Sequence, residues 1–321
     1  MKDTEFAYAS ARIRSDENSL LGLNFLTNLA EERDCTAAVS ALINQGYYQL
    51  EETSNRDEAF EECMSELWAE VKACVNGKAC FDFLIIKNDF YNLKAVIKGI
   101  VSNNPPEKLF LRPCVFDPNE MYEFVKARNF DLLDPIISEA AERGYKLITE
   151  TMDGQLFDIC IDRYYYSTLL EQSCDYPFAY EYFSKQLAMY DIRTALRIAE
   201  TGKTADAVLD AVFDSNLIDV GMLKRAAKKS VNDVLSYVES TEFSSLAEAY
   251  RTSNTAMERE CASILASVLE KARLVSFGTE PIFAYFIVKE NEINTVRMIL
   301  NCIDAKIHAQ KICERRCVSN L

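Results

Sequence analysis

Apolar positions along this chain recur every three or four residues rather than every second one. In "DENSLLGLNFLTNLAEER", Leu21, Phe25 and Leu29 share one stripe. In "TAAVSALINQG", Val39, Leu42 and Ile43 face one way, Thr36 is placed to cap the helix and Gly46 to stop it. "TAMERECASILASVLEKAR" carries Met257, Cys261, Ile264, Leu265 and Val268 at helical spacing. No alternating stretch runs longer than a few residues. "KLFLRPCVF" at 108–116 is short and holds a proline, so it reads as a connection and not a strand. The pattern predicts an all-α chain.

Three stretches of that pattern look alike: "LIIKNDFYNLKAVIKG", "QLAMYDIRTALRIAETG" and "FIVKENEINTVRMILN". Each has an acid followed by a bulky apolar residue, and the three acids, Asp89, Asp191 and Glu292, are spaced by 102 and 101 residues. Three positions after each acid stands a small polar residue, Asn92, Thr194 or Thr295, and then an apolar one, Leu93, Ala195 or Val296. A second helical stretch precedes each anchor, starting at Phe60, Phe157 and Met257. The spacing predicts three similar helical domains of about 100 residues, divided as 1–104, 105–206 and 207–321, a domain-sized repeat and not a solenoid. Three such domains can close around a pseudo-threefold axis into a funnel. The competing account is chance recurrence of amphipathic helices. Whether each acid lies inside one long helix or caps a second one stays open: Asp89 suits a cap and Glu292 does not.

Composition narrows the function. The chain has 321 residues, 49% apolar, with only 9 Gly and 7 Pro, which fits long helices with few tight turns. Its net charge is −15 and its pI about 4.7, so it repels phosphate backbones and anionic lipid. Nucleic acid and direct membrane binding are not expected. The most apolar run, "IFAYFIV" at 282–288, is too short to span a bilayer. The charged start is no signal peptide, and 11 cysteines without one point to free thiols in a reducing compartment.

Candidate chemistry is sparse. Thr201-Gly202-Lys203-Thr204 ends as a phosphate-binding loop ends. The position where its first glycine belongs is Arg197, and a helical face (Ile192, Ala195, Leu196, Ala199) feeds it where a strand should. Gly202 therefore reads as a left-handed helix cap, and the isolated chain is expected not to bind nucleotide. His308 is the single histidine, which removes most histidine-based catalysis and multi-histidine metal sites. Cys302, His308, Cys313 and Cys317 cluster near the end, but no Cys-x-x-Cys pair accompanies them, so no metal site is expected. The acidic run "LEETSNRDEAFEE" reads as a solvated face. Adjacent Tyr164, Tyr165 and Tyr166 point in different directions on a helix and suit a protein interface better than a cofactor. No cofactor is expected.

The ordered set of motifs resembles a family. "EPIFAYFIVKENEINTVRMIL" (280–300), with Thr295-Val296-Arg297 where the family has Asn-Leu-Arg, resembles the C-terminal signature of the C subunit of archaeal-type and bacterial V-type ATPases. "KNDFYNLKAVIKG" matches its Asp-x-x-Asn-Leu-Lys element through Asp89, Asn92, Leu93 and Lys94. The opening "YASARIRSDENSLL" is similar to its Tyr-Ala-x-x-Arg-x-Arg start, with Tyr8, Arg12 and Arg14. The tail after residue 300 lacks the family's Gly-Lys turn. The resemblance implies equivalence to the eukaryotic V-ATPase d subunit and an all-helical, three-domain funnel. It also implies a non-catalytic role: one copy per complex, monomeric when isolated, peripheral on the cytoplasmic face, joining the central stalk to the membrane rotor ring. Two rivals remain: a helical scaffold that binds an unrelated protein in its concave face, and an enzyme using the Gly-Lys-Thr loop or the tail thiols. Partner identity separates the first two; nucleotide or zinc binding by the purified chain would reveal the third.

Overall fold

A computed structural model describes residues 6–52, 55–77, 80–202 and 209–307. Among these the regular structure is helical throughout, with no strand. Four of the seven prolines, Pro118, Pro135, Pro177 and Pro281, occupy the first turn of a helix. There the missing N–H has no intrahelical partner to lose, so the prolines start helices and do not break them.

The chain divides into two compact units, one joining the residues up to Cys80 with those from Ala249 onward, the other running Phe81–Glu248. The first contains α1 (Ala7–Asp16), α2 (Leu23–Glu31), α3 (Cys35–Ile43), α4 (Gln49–Glu52) and α5 (Arg56–Val75). From the far end of the chain it adds α14 (Asn254–Lys271), a 3-10 turn at Ala272–Leu274, and α15 (Glu280–Asp304). Helix α15 is its axis. The run 281–288 is buried on every side, as an all-round apolar helix must be, and α15 packs against α1, α2, α3 and α5. Phe286 meets Trp68 of α5 edge to face, centroids 6.1 Å apart.

The second unit holds α6 (Ile86–Ser102), α7 (Pro118–Ala127), α8 (Pro135–Thr151), α9 (Gly154–Ser173), α10 (Pro177–Thr201), α11 (Val220–Ala227) and α12 (Val231–Glu239). Helix α6 packs against α7, α8 and α9; α10 packs against α9, α11 and α12. The α8–α9 hairpin is drawn close by Gly144, where a Cβ would stand 2.7 Å from Ile161 Cδ1 and 3.1 Å from Phe157 Cε2. Helix α13 (Ser244–Thr252) crosses the division between the units.

The three similar stretches fall on α6, α10 and α15, and the stretches before them on α5, α9 and α14. The open question about the acids is resolved in one direction. Asp89 lies in the first turn of α6, Asp191 and Glu292 deep within α10 and α15, and none of them is the residue that caps its helix. Local departures from the sequence reading have simple causes. Asp34, not Thr36, caps α3, its carboxylate accepting from the Thr36 N–H. Helix α3 buries Ala38 and Leu42 while Val39 and Ile43 are half-buried, and it ends at Ile43 before a turn in which Gly46 has φ +100. Leu21 is buried but precedes α2, whose own buried residues are Leu26, Leu29 and Ala30. The 108–116 segment is a connection, with a short 3-10 turn at Glu107–Leu109 leading into a non-helical strap.

Candidate functional site

The acids of the three similar stretches do one job in three places: each accepts a hydrogen bond from a non-helical strap of main chain.

On α6 the grip is made by Asn88, Asp89 and Asn92, which the 3.6-residue period brings onto one face. Asn92 closes a two-way bond with the peptide groups of Leu111, its Oδ1 accepting from the N–H at 2.7 Å and its Nδ2 donating to the carbonyl at 3.0 Å. Asn88 donates to the Pro113 carbonyl at 2.7 Å. The Asp89 carboxylate accepts from the N–H groups of Phe116 (2.8 Å) and Val115 (3.1 Å). All three side chains are buried, while the strap is only partly so, with Pro113 buried and Arg112 and Val115 exposed; those of its peptide groups that turn towards α6 find their partners on the helix. Leu93, wholly buried beside them, contributes packing. Burial pushes the Asp89 carboxyl up to about 6, the strap N–H groups holding it back.

The α10 grip is thinner. Asp191 Oδ1 accepts from the Phe213 N–H at 2.8 Å, and burial pushes the carboxyl up to about 8. Thr194 stands half-buried beside Tyr190. Phe213 itself is wedged among Tyr166 and Tyr190, its ring parallel to that of Tyr190 with centroids 6.0 Å apart.

On α15 the longer Glu292 reaches the strap before α2. It accepts from the Leu21 N–H (2.5 Å), the Tyr47 hydroxyl (2.7 Å) and Lys289 Nζ (2.5 Å). Burial and the neighbouring carboxylate raise the Tyr47 hydroxyl far above its usual range, so it stays a donor. Thr295 is buried one turn along. Arg297 lies nearer the surface and pairs with Asp57 through Nε (3.1 Å) and Nη2 (2.5 Å).

The N-terminal residues reinforce the same union of chain beginning and chain end. Arg14 clamps Glu17 at 2.7 and 2.9 Å and donates to the carbonyls of Ala272 (2.6 Å) and Val275 (3.1 Å), at the end of α14 and its 3-10 extension, where a cation suits the helix dipole. Ser10 donates to the Gly278 carbonyl at 3.2 Å. Arg12 pairs with Glu70 at 2.9 Å, and Tyr8 is 82% exposed. Replacing Arg14 by alanine is expected to cost about 1–2 kcal/mol in urea unfolding, and Arg14→Lys to recover only part of it, because a point charge cannot serve carboxylate and carbonyls together. Full recovery by lysine would mean that charge alone is at work.

Asn88, Tyr47, Lys289 and Ser10 escaped the sequence reading. Their partners are main-chain atoms or residues far off in sequence, and neither leaves a trace in local spacing. Of the tyrosine trio, Tyr165 and Tyr166 pack ring to ring at 4.8 Å, while Tyr164 donates to Glu139 Oε1 at 3.1 Å. Gly202 is the left-handed cap of α10 at φ +66, as expected; Lys203 and Thr204 lie outside the described residues. So do His308, Cys313 and Cys317, while Cys302 is buried on α15. Among the described residues no cluster of three His, Cys, Asp or Glu could hold a metal ion, and no helix is long and apolar enough to cross a membrane.

The family model described as "ATP synthase (C/AC39) subunit" matches residues 9–315. The chain belongs to this family. It is 24% identical to the A-type ATP synthase C subunit of Pyrococcus horikoshii, covering 98% of this chain and 90% of that one. It is 22% identical to the V-type ATP synthase C subunit of Thermus thermophilus, covering 92% and 93%. The C/AC39 match takes in all three gripping acids together with Arg12 and Arg14; Tyr8 falls just before it.

Proposed function

We propose that this chain is the non-catalytic coupling subunit of a V-type ATPase or ATP synthase, a socket that joins the central stalk to the membrane rotor ring and transmits torque for ion transport. Family membership across residues 9–315 carries the reading. The mechanical features agree with it. A torque coupler has to resist shear. Here long packed helices hold their own connections through buried side-chain bonds, a stiffer arrangement than solvated loops. The near-equal spacing of the acids supports three domains at 1–104, 105–206 and 207–321 around a pseudo-threefold axis, with the stalk received in the hollow of the funnel. The protein serves as one copy per complex, peripheral on the cytoplasmic face, held by protein contacts, and is equivalent to the eukaryotic d subunit. The strap amides held by Asp89, Asp191 and Glu292 support a structural rather than a catalytic role for these carboxylates.

Tagging the chain in its native cell and purifying it gently from solubilised membranes tests this. Co-recovery of the stalk proteins and the rotor ring is expected. A folded protein that brings down neither, or brings down an unrelated partner alone, would leave a helical scaffold in place of the coupler.

A further inference from the structure

The three grips are not equally satisfied. Glu292 receives three donors and Asp89 two main-chain amides. Asp191 receives the Phe213 N–H on Oδ1, while its Oδ2 is buried with no hydrogen-bond partner among the described residues. The side chain is fully buried. An ionised carboxylate there would have one hydrogen bond to set against full burial, whereas a neutral carboxyl leaves only a single hydroxyl wanting.

We propose that Asp191 is carried as the neutral acid and acts as a proton-operated latch on the strap at 211–213, closed while protonated and loosened when the proton leaves. The surroundings offer the charged form little help. Tyr190 on α10 and Tyr166 on α9 are uncharged rings, and Asp162 on α9 is already paired with Lys94. Asp214, on the strap itself, opposes ionisation; Lys224 on α11 favours it, but is shared with Asp210. The buried side chains of α12 are Val234, Leu235 and Val238, all apolar. Burial therefore dominates and lifts the group from 3.8 to about 8. Its sign follows from proton linkage. The closed strap binds a proton that the open strap releases, so closure is strongest below about 3.8 and is lost progressively as pH rises towards about 8. Above that both states are ionised and the dependence flattens. Asp89, held near 6, supplies an internal control on a second strap.

The test is a carboxyl NMR titration of the full chain with labelled aspartate, joined to amide hydrogen exchange at Phe213, Val115 and Phe116. Between about pH 6 and pH 8 the protection of the Phe213 amide, corrected for intrinsic exchange, is expected to fall about tenfold per pH unit and then level off. Val115 and Phe116 stay nearly flat over that interval. Asp191→Asn, neutral at every pH, should hold Phe213 protection constant. A carboxyl that titrates in the ordinary aspartate range, or Phe213 protection in the unaltered chain that ignores pH, overturns the proposal. Both readings come from the unaltered protein, so a variant that fails to fold does not affect the outcome.

Discussion

Replacing Glu292 by alanine is expected to destabilise the protein by about 3–5 kcal/mol, the cost of removing one partner from a buried, hydrogen-bonded ion pair. The loss is large because three donors are orphaned together. The Leu21 N–H and the Tyr47 hydroxyl are buried, and Lys289, its side chain only 19% exposed, loses its counter-charge. Lys289 also lies 5.0 Å from the centre of the Tyr47 ring, so the cation keeps one weak attraction when the carboxylate goes. Glu292→Gln should cost less, since its oxygen still accepts from Leu21 or Tyr47. Chemical unfolding of the two variants gives the order. A loss under about 1 kcal/mol for alanine would show that water takes over the three donors and that the grip on the first strap is not structural.

Asn92→Ala is expected to cost about 2–4 kcal/mol, from two main-chain groups stripped of partners at about 1–3 kcal/mol each. Asn92 fits Leu111 as a neighbouring strand would, donor to acceptor and acceptor to donor. Aspartate at this position would keep the acceptor and lose the donor, and should fall between asparagine and alanine. Hydrogen exchange adds a local reading: in Asn92→Ala the Leu111 amide should lose protection before Val115 and Phe116, which Asp89 still holds. Equal protection at all three would mean that packing, not the side-chain bond, fixes the strap.

These two positions also show what could be read from the chain alone. The helical pattern announced α6, α10 and α15 and aligned their acids, because a repeated buried face leaves a repeated 3.6-residue signature. What the acids touch was not legible. A main-chain N–H looks the same at every residue, so no local pattern in "KLFLRPCVF" or around Leu21 marks it as cargo for a side chain many residues away. Helix α3 ends three residues before Gly46, which supplies the turn only after the helix is over, and Asp34, two residues before Thr36, takes the cap because its carboxylate is as good an acceptor. The compact units divide at 80/81 and 248/249, bounds set by which faces meet and so not legible in local spacing.

Synthesis from the N-terminus treats the two units unequally. The unit from Phe81 to Glu248 is contiguous and can fold as soon as it is made. The unit before it cannot. Helix α5 emerges with Leu67, Trp68 and Val71 ready for burial, but the helix that covers them begins at Glu280, roughly 200 residues later. At about 5–20 residues per second the first helices wait about 10–40 s for their partner. During that time the nascent chain carries an uncovered apolar face past a finished neighbour, and it is there that a chaperone has most to do.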